Sequence, residues 1–230
     1  MPPKKIPLVR KEHQRAFHPR QNIHVRTLEQ VSERRGSRVS RFVLKHWGPK
    51  QPVDDYILRG NRETHAKLRS LKIPTVPKLE HYFENGRWVV KQKDFSWTKK
   101  SPVVEPSHIG FGTAAGRRLE QLAPEIGERP LLGVARDLAL MHKNNMLLDP
   151  EHRLLSPWIF YRKPNGKWDR AVIDFESILC LPKPKDREAA GIIAEDARTN
   201  FEKLLDLAEI FGGKPLAEKC ARTYRKINPD

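Results

Sequence analysis

The sequence predicts an α+β fold in two lobes, a sheet-rich first part and a mainly helical second part, from three observations. Strand-length apolar runs fill residues 24–92 and are interrupted by one helical stretch. A linker rich in Lys, Ser and Pro follows at 96–112. Beyond it the apolar positions recur at helical spacing, broken once by a hairpin pattern.

Residues 1–22 combine charge and proline with few periodic apolar positions and read as a basic flexible tail. The first lobe spans 23–95. Its opening pattern, Val25, Leu28 and Val31 followed by the apolar run 39–47, predicts a hairpin with its turn at 33–37. Gly48, Pro49 and Pro52 make a loop, after which Asn61 is placed to cap a helix over 62–71 that Pro74 and Pro77 stop. Two strands at 78–83 and 87–92 flank Asn85-Gly86, the strongest short hairpin signal.

The second lobe covers 113–230. Pro130 opens a helix over 131–142 in which Leu131, Val134, Ala135, Leu138, Met141 and His142 share one face. Strands at 158–161 and 170–173 flank the turn-forming Lys163-Pro164-Asn165-Gly166. Helices over 189–211 and 215–226 follow, the first burying Ala197, Phe201, Leu204, Leu205 and Ala208.

Composition narrows the function classes. The 230 residues are 38% hydrophobic and 31% charged, with a mean hydropathy of −0.67, and no run approaches the roughly 18 apolar residues of a membrane span. The N-terminus is basic without the apolar centre of a secretory signal, so the expected location is cytoplasmic. Cys180 and Cys220 are too few for a disulfide framework, and the nine histidines lack metal-ligand spacing. The five tryptophans are dispersed, as expected of core packing rather than a base-stacking platform. A net charge of +16, from 44 Lys and Arg against 28 Asp and Glu, favours polyanionic partners: nucleic acid, or an acidic or phosphorylated substrate.

Four local patterns occur in a telling order over residues 25–210. Phe42-Val43-Leu44-Lys45 is an apolar strand delivering a lysine. Glu63 follows on the first lobe's helix, and the connection 71–79 leads into the next strand. Ala171-Val172-Ile173-Asp174-Phe175-Glu176 sets an aspartate just past a buried strand. Asp196 lies near the start of the next long helix. This series resembles the protein-kinase-like superfamily, nearest to its lipopolysaccharide and aminoglycoside kinase relatives.

The resemblance implies a two-lobed kinase-like fold with ATP and Mg²⁺ as cofactors. Lys45 would meet the nucleotide phosphates, Glu63 would orient that lysine by an ion pair, and Asp174 would ligate Mg²⁺. Asp196 would anchor the catalytic loop. Gly36, the one glycine between His24 and Lys45, stands for the glycine-rich phosphate cover, while Arg34, Arg35 and Arg38 offer phosphate contacts beside it.

The catalytic loop departs from the family pattern. Aligned on His152, Arg153, Leu155 and Pro157, which match four loop residues, Leu154 takes the place of the aspartate base and Ile159 that of the metal-binding asparagine. Counted forward from His142 instead, Asp149 falls near the base position and Leu154 stands where the asparagine belongs. Three readings result. The first is a pseudokinase, or a nucleotide-binding or scaffold protein, with impaired phosphoryl transfer. The second is an active atypical phosphotransferase with Asp149 or Glu176 as base, acting on a phosphorylated or acidic acceptor. The third is a basic nucleic-acid-associated scaffold.

Overall fold

The computed structural model describes residues 13–15, 26–35, 38–46, 55–84, 87–95, 103–106, 113–149 and 156–229. The architecture is α+β and divides into two compact units, Met1–Glu63 with Val76–Lys100 and Thr64–Thr75 with Ser101–Asp230.

The first unit is built on one antiparallel sheet of β1 (His13–Arg15), β2 (Arg26–Arg35), β3 (Arg38–His46), β4 (Leu79–Glu84) and β5 (Arg87–Lys93), in the order β1-β2-β3-β5-β4. The β2–β3 ladder runs from Thr27↔His46 to Arg35↔Arg38. The expected turn at 33–37 is therefore shorter, because Glu33, Arg34 and Arg35 belong to the strand. β1 pairs with β2 from within the stretch expected to be a tail, through His13↔Leu28. Leu44, Val89 and Val90 are the buried centre of the β3–β5 pair.

Helix α1 (Asp55–Ser70) begins well before the expected 62. Asn61 does not cap it but lies buried within it, on a face shared with Thr64, His65 and Leu68. Their i, i+3, i+4, i+7 spacing is the pattern that puts one stripe of a helix inside. Lys67 and Arg69 suit the negative C-terminal end, and Lys72 with φ 56° closes it, the Ile73 N–H reaching back to Leu68 O at 3.0 Å. Pro74 then prevents any continuation.

The second unit contains β6 (Val103–Val104), α2 (Ala114–Ile126), α3 (Glu128–Lys143), β7 (Met146–Leu148), β8 (Trp158–Arg162), β9 (Trp168–Val172), β10 (Ile178–Cys180) and α4 (Arg187–Arg225). Thr113 caps α2 by accepting from the Gly116 N–H at 3.0 Å, and Asp186 caps α4 through the Ala189 N–H at 2.8 Å. β6 arises inside the expected linker, where Val103 and Val104 find partners in Tyr161 and Phe160 of β8. β8 is central in the sheet β6-β8-β9, which explains why its first four residues are all buried apolar or aromatic rather than alternating.

The unit's core lies where α3 packs on α4. Leu131, Val134, Ala135, Leu138 and Met141 are fully buried, each large side chain contributing about 1.5–3 kcal/mol. On α4, Phe201, Leu204, Leu207 and Ala208 face inward, while Ala197 and Leu205 are only half-buried. Gly212 and Gly213, both with non-helical backbone and the latter with φ 70°, divide α4 into two helical segments ahead of Pro215, the pair of helices that the sequence predicts. Trp158 and Trp168 belong to this core, whereas Cys180 is exposed and Cys220 buried, both as free thiols. No helix among the described residues is long and apolar enough to cross a membrane.

Candidate functional site

Lys45 lies in β3 of the first unit, opposite Leu28 on one side and Val90 on the other, and is half-buried. Glu63 is exposed on α1. The helix presents Asn61, Thr64, His65 and Leu68 inward, and Glu63 falls off that stripe. Gly36 and residues 150–155 lie outside the described residues, as do the side chains of Arg34, Arg35, Arg38 and Glu176.

The second unit ties two of the expected acids, Asp149 by its backbone and Asp174 by its side chain, to one serine. α3 ends at Asn144, whose side-chain amide donates to Leu140 O at 2.8 Å, and Asn145 takes a left-handed φ of 53° that asparagine tolerates. The chain is thereby turned into β7, which pairs antiparallel with β10 through Leu148↔Ile178. Asp149 extends this ladder by one bond, its N–H donating to Ser177 O at 3.0 Å. Asn200 of α4 holds the other edge, accepting the Leu148 N–H at 2.9 Å.

Asp174 follows β9, whose Ala171 and Val172 are buried and whose outer edge is covered by Thr75 in a parallel bridge. The Ile173 N–H donates to Pro157 O at 2.8 Å, fixing the exit from the strand. Asp174 precedes the short 3-10 turn Phe175–Ser177, but its carboxylate does not cap that turn's backbone. Instead the Ser177 hydroxyl donates to Asp174 Oδ2 at 3.0 Å, and the Ser156 hydroxyl donates to Ser177 Oγ at 3.4 Å. Ser177 is fully buried and is thus bonded to both acids, through its carbonyl to Asp149 and its hydroxyl to Asp174. Neither Ser177 nor Asn200 was marked by any local pattern. Ile159, by contrast, is buried within β8 opposite Ala171.

Around this point the packing is dense. His65 meets Phe175 edge-on at 5.3 Å, and Thr64 Oγ1 lies 3.4 Å from Cys180 Sγ. His142, at the end of α3, shares a 2.6 Å hydrogen bond between Nδ1 and the Tyr224 hydroxyl. Burial pushes its imidazole down to about 4, with the Asn200 side chain pulling the other way. No group of three or more His, Cys, Asp or Glu side chains gathers as a metal cage among the described residues. Mg²⁺ needs none when nucleotide phosphates complete its shell, since one or two carboxylates then suffice. The Asp174 carboxylate, oriented by Ser177, is a donor that fits this use.

No family model matches the chain, and no curated protein matches it. Crystal structures of the Mycobacterium tuberculosis PknI kinase domain are similar to it. The domain itself matches at 17% identity over 82% of this chain and 70% of that one, with a TM-score of 0.42. A double mutant of the domain matches at 15% identity over 92% and 88%, with a TM-score of 0.42. At these values the functional reading rests on the chain's own residues.

Proposed function

We propose that this chain is a divergent kinase-like protein that binds nucleotide with Mg²⁺ and has impaired phosphoryl transfer. The observation that carries the reading is Asp174, set past a buried strand with its carboxylate oriented by Ser177. Hard carboxylate oxygens in such a place suit Mg²⁺, and bound Mg²⁺ would neutralise phosphate charge. Lys45, on an inner strand of the first unit's sheet, is the candidate partner for the phosphates. Glu63 of α1 is the candidate to orient that lysine by an ion pair. The impairment follows from the loop: five residues beyond Asp149 stands Leu154, which offers no oxygen to a second metal.

One observation favours the alternative of an active phosphotransferase on a phosphorylated or acidic acceptor. Asp149 is bonded through its backbone to the serine that orients Asp174, which suits a base working beside a metal-bound phosphate.

Thermal melting with ATP, in Mg²⁺ or in EDTA, tests the first reading, because a ligand of the folded state raises the apparent melting temperature. The expected result is a Mg²⁺-dependent rise in the wild type that Lys45→Ala and Asp174→Ala both lose. No rise at millimolar ATP would remove the nucleotide reading and leave the basic surface, tested by the salt dependence of polyanion binding. Mg²⁺-dependent ATP turnover that Asp149→Asn abolishes would establish the alternative.

A further inference from the structure

We infer that Ser177 is a positioning residue that sets the Asp174 carboxylate for a divalent cation and ties it to the strand end carrying Asp149. The inference rests on the nucleotide and Mg²⁺ reading above and names the residue on which its geometry depends. Ser177 is fully buried, and its hydroxyl and its carbonyl are both used. Its hydroxyl donates to Asp174 Oδ2 at 3.0 Å while accepting from Ser156 at 3.4 Å, and its carbonyl accepts the Asp149 N–H at 3.0 Å.

A hydroxyl can donate only one hydrogen. Because Ser156 supplies a donor to Ser177 Oγ, the single Ser177 proton is directed to Asp174. A carboxylate held by a hydrogen bond loses the rotation that would scatter its lone pairs, which is how an outer partner raises metal affinity without touching the metal. The same residue begins the approach to β10, so its carbonyl position is set by the β7–β10 ladder. Carboxylate and strand end are therefore fixed relative to each other through one residue.

The test is the Mg²⁺ concentration at which ATP raises the melting temperature half-maximally, measured for the full chain as wild type, Ser177→Ala, Ser177→Thr, Ser156→Ala and Asp174→Ala. Ser177→Ala is expected to raise that midpoint about tenfold, the lower end of outer-partner effects on metal affinity. Ser177→Thr, which keeps the hydroxyl, is expected to restore it, and Ser156→Ala to raise it in the same direction by less. A purely structural role would lower the ligand-free melting temperature and leave the Mg²⁺ midpoint where it was. Should Ser177→Ala fail to fold, Ser156→Ala decides. An unchanged midpoint there, or in a folded Ser177→Ala, overturns the inference while Asp174→Ala still loses the response. A wild type with no Mg²⁺-dependent response overturns both the inference and the reading beneath it.

Discussion

Arg170 of β9 grips Asp137 of α3 with two parallel hydrogen bonds, Nε to Oδ2 at 3.0 Å and Nη2 to Oδ1 at 2.8 Å. Asp137 is 1% exposed, and the guanidinium also reaches Gly133 O at 3.3 Å. Strand and helix are thus locked by a charged fork inside the second unit, on the strand that leads to Asp174.

Removing one partner of such a pair leaves a buried charge without compensation. Arg170→Ala is expected to cost roughly 3–5 kcal/mol in chemical denaturation. Lys219 and Glu128 form an ion pair of similar length, 2.7 Å, but with side chains 44% and 49% exposed. Lys219→Ala should cost less than about 1 kcal/mol, because water screens the pair. Equal costs for the two variants would mean that the Arg170 fork contributes no more than a surface contact.

Gly133 gives a second, independent reading of the same joint. A Cβ built there would fall inside the Arg170 side chain. Gly133→Ala should therefore destabilise by about 1–3 kcal/mol although alanine is the better helix former. In the Arg170→Ala background the clash is gone, and the substitution should become neutral or stabilising by up to about 1 kcal/mol. A double-mutant cycle reads the difference, and additive effects would show that Arg170 is not what excludes a side chain at 133.

Much of this architecture was legible in the sequence because it follows local rules. The inward stripe of α3 is a 3.6-residue pattern, and Gly212-Gly213-Pro215 ends one helical stretch and begins the next in the chain itself. Other features depend on distant partners. Val103 and Val104 become a strand only because β8 offers an edge, and Asn61 looked like a cap because nothing local shows that its helix face is buried. In the candidate site Asp149 and Asp174 carried signals of their own. Ser177 and Asn200 did not, since a serine or asparagine acquires such a role only from the group folded against it. Which way Glu63 faces depends on the phase of α1, which spacing along the chain does not fix; it lies exposed, off the buried stripe of Asn61, Thr64, His65 and Leu68.

His142 makes stability depend on pH in a defined direction. Burial lowers its imidazole from 6.5 in the unfolded chain to about 4. A depressed folded value means that its contribution is present above about 6.5 and is lost as pH falls through about 4, a change of about 3 kcal/mol. Asp137 acts in the opposite sense, because burial pushes its carboxyl from 3.8 up to about 6 against the pull of Arg170. Its contribution is present below 3.8 and lost as pH rises through about 6. The two effects offset in the wild type, so the informative quantity is the difference between the wild type and His142→Gln. That difference should shrink by about 3 kcal/mol between pH 7 and pH 4 in denaturation experiments. A difference independent of pH would show that His142 is not held neutral by its surroundings.

Asn200 offers the last test, because it links α4 to the strand that carries Asp149. Its Oδ1 accepts the Leu148 N–H at 2.9 Å, and both residues are buried. Asn200→Ala leaves that N–H without a partner or water, at an expected cost of about 1–3 kcal/mol. Asn200→Asp keeps an acceptor in place and should recover part of it at neutral pH, less the cost of burying a carboxylate. Hydrogen exchange at Leu148 gives a local readout: the amide should exchange faster in Asn200→Ala than the loss of global stability alone accounts for. Exchange that simply follows global stability would mean that the β7–β10 ladder holds Asp149 in place without help from α4.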